Sequence, residues 1–291
     1  MKKKIISVFV GIAGLVAVYF VASGISHIIY NRPADNTSTE AEAESTEQGT
    51  EEAKSAMTED EINAMLAGMK TTETAETETA AEEQSEVIPV KFEELQAVNP
   101  DVYAWITVPG TDIDYPILQH ASDNTYYLMH NIDGSYGYPG CIYTENMNSK
   151  DFTDNNTVIY GHNMKNGSMF AQLHKYEDPD FFDANREVLI YLPGEVLHYT
   201  IFAAHIYDDR HLLYSFDFTD PEVYQKYLDS IFSTRDMNAN IDKDITVTTD
   251  DQIITLVTCI GSQPNNRLLV QAMLTDREPG TEAAREATAA E

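Results

Sequence analysis

The sequence predicts a mainly β domain: a closed β-barrel of seven or eight strands with an N-terminal helical segment and helical insertions. Three observations carry this. Short runs rich in Val, Ile, Thr and Tyr recur between residues 104 and 274, bounded by Gly, Pro, Asn or Asp. Two of these runs turn on Pro-Gly pairs, at Pro109-Gly110 and Pro193-Gly194. There is no internal repeat, and strands do not alternate with long helices, so the pattern is not that of βαβ units and favours a barrel.

The chain opens with Lys2, Lys3 and Lys4, then runs apolar over residues 5–22. That run of roughly 18 residues approaches the ~20 that cross a bilayer as a helix. It has no amphipathic stripe, and only VASG offers a weak cleavage site, so residues 1–31 are expected to be an uncleaved anchor. The lysines keep the N-terminus cytoplasmic and place the rest of the chain outside the cell. Residues 32–88, rich in Thr, Glu and Ala, bury too little apolar surface to offset their ordering entropy, and are expected to form a solvated acidic spacer. Within it, EDEINAMLAGMK is expected to form a transient helix only. Residues 89–277 form the compact domain, and 278–291 a disordered tail.

Inside the domain, KFEELQAV reads as a short helix with Phe92, Leu95 and Val98 on one face. AWITV and DIDYPIL are strands around the first Pro-Gly turn, and GCIYTE and NTVIYGH are short strands running into loops. SMFAQLHKY is a helix with Met169, Phe170 and Leu173 on one side. EVLIYLPGEVLHYTIFAAHIY is a hairpin. PEVYQKYLDSIFSTR has a helical period, with Val223, Tyr227, Ile231 and Phe232 inward. DITVTTDDQIITLVTC reads as a second hairpin turning at Thr249, Asp250 and Asp251, and RLLVQAML closes the domain.

The net charge of −30 leaves about −20 on the domain and its tail once anchor and spacer are set aside, which argues against nucleic-acid binding. The two cysteines permit at most one bridge, so this is no disulfide scaffold. No cluster has metal-ligand spacing, and no glycine-rich loop follows a strand, so no cofactor or metal is expected.

The residues left to carry chemistry are few. Cys259 ends the apolar strand TLVTC; alone, it reads as a buried structural thiol, and spacing also leaves open a disulfide with Cys141. A working cysteine needs a base or a nearby cation. Among eight histidines, His27, His120, His130, His174, His198, His205 and His211 have ordinary surface or core readings. His162 emerges from a strand end directly after Gly161 and is the best acid–base candidate. Antiparallel pairing of RLLVQAML with ITLVTC would bring Arg267 near Cys259, where its fork of donors suits a developing oxyanion; the alternative is a solvent-facing loop arginine.

Taken together, AWITVPGTDIDYPILQ, DNTYYL, GCIYTE, NTVIYGHNMKNGSMFAQLHKY and TLVTC with an arginine eight residues later closely resemble, in this order, the sortases, and class B among them. The resemblance covers residues 99–274, and the anchor and spacer fit it. It implies a sortase-like barrel and a cysteine transpeptidase on the surface of Gram-positive bacteria. Cys259 would attack the carbonyl of a threonine in the C-terminal sorting signal of a secreted protein. His162 would protonate the departing amine and later deprotonate the incoming one, and Arg267 would stabilise the oxyanion. Thr258 would shape the oxyanion site, and Tyr160 and Asn124 match positions lining the substrate groove. An amine of a peptidoglycan precursor or a pilin would resolve the thioacyl enzyme. Three departures stand out. Val257 replaces a frequent serine, Gly261 and Ser262 supply no carboxylate after the cysteine, and Cys141 replaces a small residue. A cysteine hydrolase of the cell surface and a non-enzymatic scaffold are the alternative functions.

Overall fold

The computed structural model describes residues 57–70 and 86–282. The expected anchor, most of the spacer and the last nine residues lie outside the described residues. Among the described residues no helix is long and apolar enough to cross a membrane.

The strands are β1 (Glu86–Ile88), β2 (Val102–Val108), β3 (Ile113–Leu118), β4 (Ile142–Thr144), β5 (Asn156–Tyr160), β6 (Glu187–Leu192), β7 (Glu195–Asp208), β8 (Asn240–Ile241), β9 (Ile253–Ile260) and β10 (Gln263–Glu282). The helices are α1 (Glu59–Gly68), α2 (Phe92–Val98), α3 (Pro179–Ala184), α4 (Leu212–Ser215) and α5 (Pro221–Phe232), with 3₁₀ turns at Tyr126–Leu128 and Phe170–Glu177. The strand order is β1-β10-β9-β5-β4-β3-β2-β6-β7-β8, and β10 also pairs with β7. That second pairing closes β10, β9, β5, β4, β3, β2, β6 and β7 into a mixed barrel and removes its edges. Two pairs within the ring are parallel, β3 with β4 and β5 with β9. The predicted Pro-Gly turns are both present: Gly110 and Gly194 have φ of 83° and 90°, a region that side chains disfavour.

Three apolar clusters hold the barrel. Ile106, Ile117, Ile159, Ile190, Leu197, Leu256 and Val270 belong to a fully buried cluster drawn from all around the ring. A second cluster joins α1, α2 and β1 to Trp105 and Leu118. A third seats α5 against Val158, Phe202, Val257 and Leu269. Burying each such side chain contributes about 1.5–3 kcal/mol.

Several expectations change. Part of the acidic spacer is built into the domain: α1 carries a Thr58–Glu61 capping box. Its Ile62 and Leu66, one turn apart, are both buried. Lys70, just beyond α1, pairs with Asp114, which also accepts from Trp105 Nε1 at 2.8 Å. β1 falls in the spacer too, and pairs in parallel with residues 280–282 of β10. The C-terminal strand starts earlier than RLLVQAML, at Gln263, and runs on to Glu282, into the expected disordered tail, because polar Asp276, Arg277 and Glu278 hide its pairing with β7.

The second hairpin is absent. Residues 244–251 form a loop in which Thr248 and Asp251 hydrogen-bond each other's segment, side chains taking over what a ladder would supply. In α5 the inward face is Tyr224, Tyr227, Leu228 and Ile231, so Val223 and Phe232 sit at its margins. The predicted SMFAQLHKY helix is a 3₁₀ turn whose period of three buries Phe170, Leu173 and Tyr176. In α2 Phe92 and Leu95 are buried, but Val98 is exposed.

Candidate active site

β9 and β10 pair antiparallel with Cys259 directly opposite Arg267. A tight turn at Gly261 and Ser262 joins them, and a break in register between Gln263 and Arg267 bulges Pro264, Asn265 and Asn266 outward. Strand alternation leaves Cys259 exposed between buried Thr258 and Ile260. The arginine's Nη1 donates to the Pro264 and Asn266 carbonyls at 2.9 Å each, which fixes the side chain against the bulge. Among the described residues its Nε and Nη2 make no hydrogen bond.

His162 reaches the same end of the barrel from the other side of β9. β5 runs parallel to β9 with Tyr160 opposite Val257, and the ladder ends where Gly161 N donates to Val257 O at 3.1 Å. The Thr258 hydroxyl then donates to Gly161 O at 2.9 Å, and Asn163 Nδ2 donates to Cys259 O at 2.9 Å. The residues on both sides of His162 are thus tied to β9 beside the cysteine. The His162 carbonyl accepts from Phe170 N at 2.9 Å.

Glycine at 161 answers to space rather than to an unusual φ. A Cβ there would lie 2.5 Å from Ile142 Cδ1 and 2.6 Å from the Phe170 ring. The imidazole donates from Nε2 to Leu128 O at 2.7 Å, and Tyr138 lies edge-on at 5.2 Å. Desolvation pushes the pKa of His162 below its ordinary value, and the hydrogen bond to Leu128 opposes this only in part. Among the described residues the Cys259 thiol makes no hydrogen bond to His162. Acid–base pairs are often loose before substrate arrives.

The remaining predicted residues fall as follows. Thr258 is buried and its side chain is a strut between β9 and the turn bearing His162, rather than a lining group. Tyr160 stacks on Tyr143 at 5.3 Å, beside Val257 and on the same face of β9 as Cys259. Asn124 accepts at Oδ1 from Asn146 N at 2.9 Å and so pins the loop after β4. Cys141 and Cys259 are both free, the first buried and the second exposed, so the bridge is absent. Burial raises the Cys141 thiol well above the usual range and keeps it protonated.

Two features escaped the sequence reading. His174, given an ordinary surface role, places Nε2 3.1 Å from Cys259 O, with Nδ1 3.2 Å from Glu177 Oε2. The Glu three residues along the same turn was a readable signal. His211, on the loop after β7, meets the buried Glu145 at 2.7 Å and lies 6.1 Å from the Tyr160 ring. That pair joins segments 66 positions apart and left no local trace.

An exposed thiol, an imidazole held one strand away and a guanidinium directly across the ladder are the parts acyl transfer needs: nucleophile, acid–base group and oxyanion donor. The family described as the Sortase domain matches residues 106–275, more than half of the chain. Sortase B of Listeria monocytogenes is 36% identical over 188 residues, covering 63% of this chain and 74% of that protein. Sortase B of Staphylococcus aureus is 28% identical over 186 residues, with the same coverage. The crystal structure of Clostridium perfringens sortase B superposes with a TM-score of 0.58 at 34% identity, covering 64% of this chain and 100% of that one. Sortase B of Bacillus anthracis, in complex with AAEK1, gives 0.57 at 35% identity, covering 67% and 88%. With the closed mixed barrel and the cysteine, histidine and arginine gathered at one end of it, the chain belongs to the sortases, as a class B cysteine transpeptidase.

Proposed function

We propose that this chain is a membrane-anchored sortase that cleaves a C-terminal sorting signal of secreted proteins after threonine and transfers the acyl group to an amine of the cell wall or of a pilin. The Cys259 thiolate attacks the threonine carbonyl carbon, and the carbonyl π electrons move onto oxygen. Arg267 donates to that oxyanion from Nε or Nη2 while Nη1 keeps its hold on the bulge. As the tetrahedral centre collapses, the C–N bond breaks and the departing amine takes a proton from His162. An incoming amine then attacks the thioacyl carbon, gives a proton to His162 and releases the Cys259 thiolate. Tyr160, Asn124 and the loop at 208–215 line the path of the signal, and Thr258 fixes the backbone of the oxyanion site. The apolar run at residues 5–22 anchors the enzyme with its barrel outside the cell.

The observation that supports this most is the cross-strand pair of Cys259 with Arg267 beside the tied turn bearing His162. Intact mass spectrometry of the full chain in detergent, mixed with N-P-x-T-N, N-P-x-T-G and S-P-x-T-G peptides, tests it. The expected result is a peptide acyl mass on Cys259 that an added amine releases faster than water does. Release by water alone at the same rate makes the protein a hydrolase. A free, unacylated Cys259 with every peptide refutes the stated signal class.

A further inference from the structure

The parallel ladder between β5 and β9 implies a next rung that the backbone does not make. Gly161 N donates to Val257 O. Two residues on, Cys259 O points to the same side, and the regular partner would be the backbone N–H of residue 163. β5 has ended by then and the chain has turned towards the short bridge between Asn163 and Met169. A carbonyl stripped of its ladder partner is left to water or to another donor. The Asn163 side chain supplies it at 2.9 Å, standing in for its own backbone.

His174 completes the arrangement. Its Nε2 lies 3.1 Å from the same carbonyl and 3.0 Å from Asn163 Nδ2, and Glu177 meets its Nδ1 at 3.2 Å. A ring protonated only at Nδ1 donates to Glu177 and accepts from one Asn163 N–H, while the other Asn163 N–H goes to the carbonyl. A ring protonated on both nitrogens donates to Glu177 and to the carbonyl. In the first form His174 holds the Asn163 amide with its N–H toward the carbonyl; in the second it donates to that carbonyl itself. His174 comes from the 3₁₀ turn that begins at Phe170, whose N–H holds the His162 carbonyl. One short segment therefore grips the nucleophile's carbonyl and the histidine's carbonyl together.

We infer that Asn163, His174 and Glu177 are positioning residues that replace the missing rung on Cys259 O and hold the thiol within reach of His162. Their role rests on the transpeptidase reading given above. It acts through the nucleophile's backbone and calls for no contact with the sorting signal.

The test uses single-turnover acylation of the full chain together with alkylation of Cys259 by iodoacetamide, which needs no peptide. Asn163→Ala and His174→Ala are each expected to slow acylation about tenfold at saturating peptide, the worth of a lost hydrogen bond amplified by misplacement, with KM little changed. His174→Gln, whose amide can still donate to the carbonyl, recovers most of the rate. In the alkylation assay His162→Ala changes the rate in the wild-type background, and that difference shrinks when Asn163 is already Ala. Wild-type acylation rates in both alanine variants would overturn the inference. So would a loss confined to KM, or a lowered Tm with full rate at 25 °C. If the wild type acylates no peptide, the stated signal class fails, and the alkylation cycle still decides whether Asn163 couples the cysteine to His162.

Discussion

Replacing Gly161 by alanine perturbs the site with a single methyl group. The new Cβ would lie 2.5 Å from Ile142 Cδ1 and 2.6 Å from two atoms of the Phe170 ring, all well inside contact distance. Ile142 and Phe170 are 1% and 0% exposed, so neither has open space to enter. Overpacking of this kind costs about 1–3 kcal/mol. Alanine returns about 0.4–1 kcal/mol by restricting the unfolded chain, since the backbone at this position is one that alanine can adopt. The net loss is at most about 2.6 kcal/mol, which for a domain of this size lowers Tm by up to roughly 10 °C. Activity should suffer more. Phe170 N holds the His162 carbonyl, so a ring pushed aside drags the histidine with it. A displacement near 1 Å costs on the order of 10²-fold in rate. Differential scanning calorimetry and single-turnover acylation of the same preparation read both effects. A variant with unchanged Tm and unchanged rate would show that Ile142 and Phe170 yield freely, and that Gly161 does not place His162.

Arg267→Lys keeps the charge but loses the planar fork; with Nη1 tied to the bulge, lysine cannot serve both carbonyls and oxyanion, and acylation should fall by about 10²-fold. A pH–rate profile should be bell-shaped with its acid limb below the ordinary histidine midpoint of ~6.5, because burial lowers His162; a limb at or above that value contradicts the burial argument. His198 behaves oppositely. Desolvation pulls its pKa down, but hydrogen bonds and charge from Glu86 and Glu187 outweigh that and raise it. Its stabilisation is thus full below the unfolded value of ~6.5 and lost as pH rises through the higher folded value, so a Glu86→Gln variant should flatten the Tm–pH curve in that window. Brief alkylation without denaturant should label Cys259 and spare Cys141, a residue only 6% exposed whose thiol burial holds protonated; equal labelling would mean the barrel opens near β4.

Much of the barrel was legible because its strands are short, apolar and punctuated. The two Pro-Gly turns specify hairpins locally, and the amphipathic period of α5 shows its existence, if not the rotation of its buried face. The Cys259–Arg267 pairing was also readable, since the two lie on consecutive strands joined by a short turn. What was hidden depends on distant partners. DITV has strand composition, yet the Thr248–Asp251 side chains close a loop there instead. Residues 57–70 look like spacer because only Ile62 and Leu66 are buried, with Met57, Met65 and Met69 partly buried against the same cluster, and the surface they need is formed by Trp105 and its neighbours. Strand β10 past Leu274 is polar and becomes a strand through its pairing with β7 and β1. His174 resembles any exposed helical histidine until β9 brings Cys259 O against it.

The barrel's closing seam has a consequence for timing. Cys259 pairs with Arg267, and β10 must still run along β7 as far as Pro279 opposite Glu195 before the ring is shut. Long-range pairings of this kind form late, since each must first bear the entropy of a large loop. A chain made from its N-terminus therefore carries His162 well before Cys259 and Arg267 are set beside it. The Cys259 thiol comes to face Arg267 only once β10 has been made, so a product truncated before β10 has the cysteine without that arrangement.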